Sequence, residues 1–377
     1  MENVNSLSSV PEARPSAEAI EVIAPVIVPE LEVGLPGWVK NVRSFVISLL
    51  AAMACFALIL LLMGKNPVDV YVQIFKGTLG TTYGWSEIVV KMTPFILCAL
   101  AVAIPARVGL VSVGGEGQIY IGAIFAGFAA LKLGDALPTP ILIPVLAIAG
   151  MAGGALWGGL CGVLRAYANL NETICSLLLT YIGSLVMDFL VNGPLKDRST
   201  SALGQAYSPL FPDNAVLPTY FDTRISLGIV FALIGVGFYF WLFRYTRWGY
   251  KMRVVGGNPE AAVRSGIKVG RYLVIAMMLG GAFAGLSGMV EVIAIQGRLR
   301  GGISNGYGYV GFLVAWLAAQ RPGLIVFMAA LLGLISFGGD TIQIVSNLPS
   351  STVNILMALI LFFVLRDQGL RNMKATA

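Results

Sequence analysis

Asn258, Pro259, Glu260, Ala261, Ala262 and Gly266 are spaced as the start and the stop of one short helix. The asparagine side chain can accept from the free N–H groups of a first turn, and proline suits the first helical position. Glutamate complements the positive end of the helix dipole, and Gly266 can close the helix in a left-handed conformation. A helix of barely two turns is unstable alone in water, so it must pack on something. Two readings fit: a helix lying on lipid headgroups, or a knob that docks a cytoplasmic partner.

A second constellation is Gly114-Gly115-Glu116-Gly117-Gln118, which puts glycine and a carboxylate between two apolar segments. Non-helical backbone at membrane depth survives only when buried in protein or lining a wet cavity. An intramembrane glutamate is costly and needs a partner, and Arg107, nine residues earlier, is the natural candidate. The pair would brace a broken helix; the alternative is a carboxylate that lines a solute pathway. Asn305 and Tyr307, with Tyr309, Arg298 and Arg300 nearby, stand at the entrance to a later apolar segment. Amides and aromatic faces suit bases and sugars, although tyrosines at an interface also serve as plain membrane anchors. Asp188 and Asp340, near the ends of spans, carry the same two readings.

Much chemistry is excluded. The chain has no histidine, which removes Ser-His-Asp and Cys-His nucleophiles and the histidine-based zinc and iron sites. Its four cysteines sit singly in apolar runs and read as packing residues. No GxxxxGK[ST] occurs, so the chain cannot bind ATP by a phosphate loop.

These residues need a frame, and composition supplies it. The 377 residues are 57% hydrophobic and 12% charged, a balance no soluble surface tolerates. The expected fold is an all-α polytopic membrane protein. Ten apolar segments can be drawn: Ser44–Met63, Ile88–Ile104, Gln118–Leu131, Ile141–Leu164, Thr173–Val191, Ser226–Phe243, Tyr272–Ile295, Tyr307–Ala319, Leu324–Ile344 and Val353–Leu365. The third and eighth are short for full crossings, which leaves two readings for each, a crossing or a re-entrant or broken helix. Gly150, Gly154, Gly158 and Gly162 form a small-residue ridge on the fourth, and Gly281, Gly285 and Gly288 do so on the seventh. Such ridges serve internal packing or a subunit interface.

Residues 1–36, with six glutamates, five prolines and one arginine, read as a disordered cytoplasmic tail. Residues 37–370 form the transmembrane domain and 371–377 a cytoplasmic C-terminal tail. Between the sixth and seventh segments, residues 244–271 hold seven Lys and Arg against Glu260 alone. By the positive-inside rule this loop and both termini are cytoplasmic, and 192–225 is the long outer loop. The net charge of +6 reflects this topology and the lipid headgroups, not nucleic acid.

Glu260-Ala261-Ala262 with Gly266 resembles the EAA---G loop of ABC importer permeases. The longer run from Gly257 to Ile267 resembles permeases of nucleoside and simple-sugar importers served by basic-membrane-protein-type binding lipoproteins. Ala106–Gln118 is similar to that family's ARAGLFNIGxEGQ segment. Asn171-Glu172-Thr173-Ile174 through Ile182, then Gly193–Asp197, is similar to its NEVIxxxMLNYI…GPLKD pattern. Ser112 and Thr180 stand where the pattern has asparagines. The resemblance adds Asn171, Glu172 and Thr180 to Arg107, Glu116, Gln118, Asn305 and Tyr307 as candidates for a pathway or for broken-helix structure.

The resemblance implies a permease subunit in the bacterial inner membrane that moves nucleosides, or pentoses and related sugars, by alternating access. It implies a cytoplasmic ATPase docked at Asn258–Gly266, with ATP and magnesium on that partner and no cofactor on this chain. A second, different permease chain and an extracytoplasmic binding lipoprotein complete the assembly. The competing class is a stand-alone secondary transporter or channel, which leaves the capped basic loop without a purpose.

The charge asymmetry generates a topology test. In a cysteine-free background, Ser265→Cys should resist an impermeant thiol reagent in intact cells and react once the membrane is opened. Labelling from outside would reverse the assignment.

Overall fold

The computed structural model describes residues 37–197, 206–220, 223–346, 349 and 351–376. The tail 1–36 expected to be disordered, parts of the outer loop and Ala377 lie outside the described residues. Among the described residues the chain is helical throughout, with two isolated backbone bridges and no strand. In order the helices are α1 Gly37–Leu62, α2 Pro67–Leu79, α3 Thr82–Ala106, α4 Gly115–Leu133, α5 Thr139–Ala168, α6 Glu172–Asn192 and α7 Gly228–Tyr245. Then come α8 Arg247–Gly257, α9 Pro259–Arg264, α10 Val269–Val290, α11 Tyr307–Leu317, α12 Pro322–Ser346 and α13 Ser351–Thr376. A π-helical segment, Glu291–Gln296, prolongs α10.

Each of the ten apolar segments lies on a helix, but among the described residues seven helices are long and apolar enough to cross a membrane: α1, α3, α5, α6, α7, α10 with its π segment, and α12. α4 falls outside that set, α11 has 11 residues, and the apolar part of α13 is Asn354–Val364. The sequence also hid α2. Asn66 caps it by accepting from the Val68 N–H at 3.1 Å, and Val70, Ile74 and Thr78 are buried, the helix packing beside α12. Thirteen residues, roughly 20 Å of helix, do not register as a span.

The centre of the bundle is α3, α4, α5 and α10. On α3 every residue from Thr93 to Pro105 is buried, so this helix touches protein on all sides. The two glycine ridges meet each other. A Cβ on Gly154 would collide with the Gly281 carbonyl, and one on Gly285 with the Gly150 carbonyl. Gly122 of α4 presses on the Gly285 backbone from a third side. The ridges are therefore an internal seam, where backbones approach closely without any hydrophobic drive.

Gly285→Val should be the harshest single change in this seam, because what it meets is backbone, not a flexible side chain. Overpacking costs about 1–3 kcal/mol when neighbours can yield, and more here. The detergent-solubilised variant should melt well below wild type, whereas Gly237→Ala, with open space around it, should not.

Candidate functional site

At one end of the molecule the short helix α9 forms as its caps direct. The Asn258 side chain accepts from the Ala261 N–H at 3.0 Å. At the other end the Ile267 N–H bonds the Ala262 carbonyl and the Gly266 N–H bonds the Val263 carbonyl, with Gly266 at φ +77°. This is a Schellman stop, and it requires the left-handed glycine. Ala262 is fully buried, while Glu260, Ala261, Val263 and Arg264 are exposed. The helix thus rests on one small residue and offers its other faces outward.

The preceding helix α8 anchors this loop to the body. Met252 and Val255 are buried, and a Cβ on Gly256 would strike the Arg107 carbonyl. Arg107 itself corrects the sequence reading. Its Nε donates to the Tyr239 hydroxyl and its Nη2 to the Gln320 carbonyl, both at 2.9 Å, with the guanidinium 5.6 Å from the Phe243 ring centre. Tyr239 also donates to the Gln320 carbonyl. Gln320 and Ala319 both adopt positive φ in the turn between α11 and α12, so the arginine holds a strained turn in place.

Glu116, the expected partner of Arg107, is engaged elsewhere. Its two oxygens accept from the backbone N–H groups of Gly306 and Gly308, at 3.2 and 2.7 Å. These belong to the start of α11, where Ser304 Oγ accepts from the Tyr307 N–H and the N-cap residue, Gly306, has no side chain to offer. Glu116 also lies in the first turn of α4, and Gly115 and Gly308 bring the two helix starts into backbone contact. Two positive dipole ends therefore share one buried carboxylate.

The extended segment between α3 and α4 is held from α6. Asn171 caps α6 by accepting from the Thr173 and Ile174 N–H groups. Glu172 pairs with Arg165 at 3.1 Å and accepts from the Val111 N–H, while Ser176 accepts from the Val113 N–H. Thr180 donates to the Ser176 carbonyl and lies against Gly117. Gln118 is buried toward Gly158. Glu116, Gln118, Asn171, Glu172 and Thr180 thus all sit on the broken-helix scaffold.

Asn305 and Tyr307 flank Gly306, one of the donors to Glu116, and stand in the wall of two adjoining cavities of about 450 and 410 Å³. Lys91 and Asp340 border both cavities and form an ion pair at 3.1 Å. In the larger one Glu87 meets Arg224 at 2.9 Å, and Glu291, Tyr83 and Phe337 complete the wall. Glu87 lies 20 residues before Arg107 on the helical stretch of α3, roughly 30 Å along it, so this cavity is far from α9. Cavities of this volume with a few converging polar groups are the usual form of small-molecule sites.

The sequence profile of the family described as "Branched-chain amino acid transport system / permease component" matches residues 84–365. That interval takes in α9, the broken helix and most of the cavity wall. The chain belongs to this permease family. It is 30% identical to a glucose ABC transporter permease protein of Haloferax volcanii, over 89% of each chain. It is equally similar to a guanosine ABC transporter permease protein of Bacillus subtilis, covering 88% of this chain and 96% of that one. A nucleoside ABC transporter permease protein of Lactococcus lactis matches at 30% over 86% and 92%. This protein is a multi-pass permease subunit of an ABC importer.

Sequence reasoning about the permease missed Glu87, Lys91, Arg224 and Glu291; for Asp340 it left two readings, a ligand contact or a plain span-end residue. The available signal was the rule applied to Glu116: an ionisable residue inside an apolar helix implies a partner and a purpose.

The geometry separates Arg107 from Glu116, and a double-mutant cycle checks this. Arg107→Ala and Glu116→Ala should each lower the melting temperature, and their effects should add, with coupling below about 0.5 kcal/mol. A direct ion pair would give strong coupling. Glu116→Gln should also cost about 1–3 kcal/mol, because its amide turns a donor toward one of two backbone N–H groups.

Proposed function

We propose that this permease crosses the bacterial inner membrane ten times, with both termini and α9 in the cytoplasm. It works as one of two different permease chains, energised by a separate ATPase that binds ATP and magnesium and docks on α9. An extracytoplasmic binding lipoprotein delivers the solute to the opposite end. The single observation that carries this reading is α9: a rigidly capped helix, seated on Ala262, with its remaining surface turned outward. A stand-alone secondary transporter gives that surface nothing to do.

Nucleosides are the proposed cargo, with glucose-like and pentose sugars next. Relatives named for guanosine, nucleosides and glucose support this, and so does the cavity, where Tyr83 and Phe337 offer aromatic surface beside the Asn305 amide and the Tyr307 hydroxyl. The branched-chain amino acids in the family description fit less well, since Lys91 and Arg224 are each already engaged by a wall carboxylate and neither is free for an α-carboxylate. Alternating access then needs a route from α9 to the cavity. Gly256 touches the Arg107 backbone, Arg107 grips the turn after α11, and α11 begins beside Asn305 and Tyr307. Nucleotide binding would bias one of two positions of this connected set.

Gly266 supplies the test. Open space surrounds it, so a substitution there acts through backbone conformation alone. Gly266→Val should cost roughly 1–2 kcal/mol of local stability, weaken ATPase recovery on purification and abolish ATP-driven uptake. Gly266→Asn, which tolerates the left-handed region, should retain most of both. Full transport by the valine variant, or uptake by wild type in vesicles without an ATPase, would overturn the proposal.

A further inference from the structure

Glu291 is built into the larger cavity differently from its neighbours. Glu87 is taken by Arg224, and Asp340 by Lys91. The Glu291 Oε1 accepts from the Gln296 Nε2 at 2.9 Å, across the π-helical segment. Its Oε2 has no hydrogen-bond partner among the described residues, although the side chain is only 2% exposed. Three carboxylates thus line the cavity against two cations, and the one oxygen left over belongs to Glu291. Leaving a buried acceptor unmet is unfavourable, and π-helical turns recur where function has claimed a residue.

We infer that the Glu291 Oε2 is the acceptor for hydroxyl hydrogens of an uncharged, polyhydroxylated ring, a furanose or pyranose, held in this cavity. The inference rests on the import reading above and names the atom that recognises the cargo. Lys91 and Arg224 are each engaged by a carboxylate of the same wall, so an anionic ligand finds no free cation there and meets the unpaired Glu291 oxygen. A neutral hydroxyl donor meets no such repulsion. A charge-assisted hydrogen bond is also the strong kind, which suits discrimination by hydroxyl groups. Asn305 and Tyr307 supply further polar contacts, and the edge-paired rings of Tyr83 and Phe337, 6.0 Å apart, offer the apolar surface that the C–H face of a sugar prefers.

The test uses the complete transporter in proteoliposomes with ATP and its binding protein. Guanosine is compared with its 2′-deoxy and 3′-deoxy analogues, and glucose with 2-deoxyglucose. Each ratio of parent to analogue uptake is taken for wild type and for Glu291→Gln. Because the binding protein is common to both, its own preference cancels between the two ratios. The amide oxygen that Glu291→Gln introduces would still accept from Gln296, so the variant should assemble, which co-purification of the other subunits checks. Wild type should favour a parent over at least one analogue by about tenfold, and Glu291→Gln should shrink that preference to about twofold or less. If Glu291→Gln does not assemble, Glu291→Asp keeps the charge, withdraws the oxygen by one methylene and should shrink the same ratio. Undiminished preference in an assembled variant overturns the role of Glu291 and leaves the import reading standing. Absence of ATP-dependent uptake of both parents by wild type overturns the import reading itself.

Discussion

Two helices begin inside this protein with their N-termini facing each other, and a single carboxylate makes that arrangement possible. The first N–H groups of a helix have no partner within it, and in a lipid-like interior water cannot supply one. Glu116 answers the need at α11 by accepting from Gly306 and Gly308, and it does so from the first turn of α4. Without a negative charge between them, the two dipole ends would repel. The broken helix, the loop before α11 and the placement of Asn305 and Tyr307 all follow from this one buried anion.

The surrounding architecture keeps the anion in place by letting backbones come close. Gly115 and Gly308 allow the two helix starts to meet, Gly117 admits the Thr180 backbone, and Gly122 brings α4 onto the glycine seam of α5 and α10. Meanwhile the extended segment ahead of α4 is tied to α6: Glu172 and Ser176 accept from the Val111 and Val113 N–H groups, and Thr173 donates to the Val111 carbonyl. Rigidity is thereby concentrated around Glu116. The polar cavity lies next to it, walled by longer side chains on α3 and α12 and by the π segment.

What the sequence revealed, and what it concealed, divides along a physical line. Local codes were legible: Asn258 and Gly266 do what an N-cap and a left-handed stop do, and the glycine spacing on α5 announced a close contact. The ten apolar stretches are all helical, whereas the length criterion is met by seven helices. The assignment of Glu116 to Arg107 failed because charge suggests charge, while the actual donors are backbone N–H groups that every residue except proline possesses. Glu87 and Arg224, 137 positions apart, illustrate the other blind spot. Glu87 stands just ahead of an apolar run and Arg224 in the outer loop, so each reads alone, and only the folded chain shows that one offsets the other.

The brevity of α11 has a mechanical consequence. Its 11 residues make a rod of about 16 Å, too short to absorb a displacement by bending. One end is tied by a carboxylate, and the turn beyond the other is gripped by a guanidinium. A tethered strut of this kind has few degrees of freedom: it can tilt or slide, and whatever stroke enters at one end leaves at the other almost undamped. Helix shifts of only about 1–2 Å commonly switch proteins between states. A longer, free-standing helix would spend such a small stroke in flexing. Any such stroke would pass to the turn beyond α11, where Ala319 and Gln320 hold positive φ.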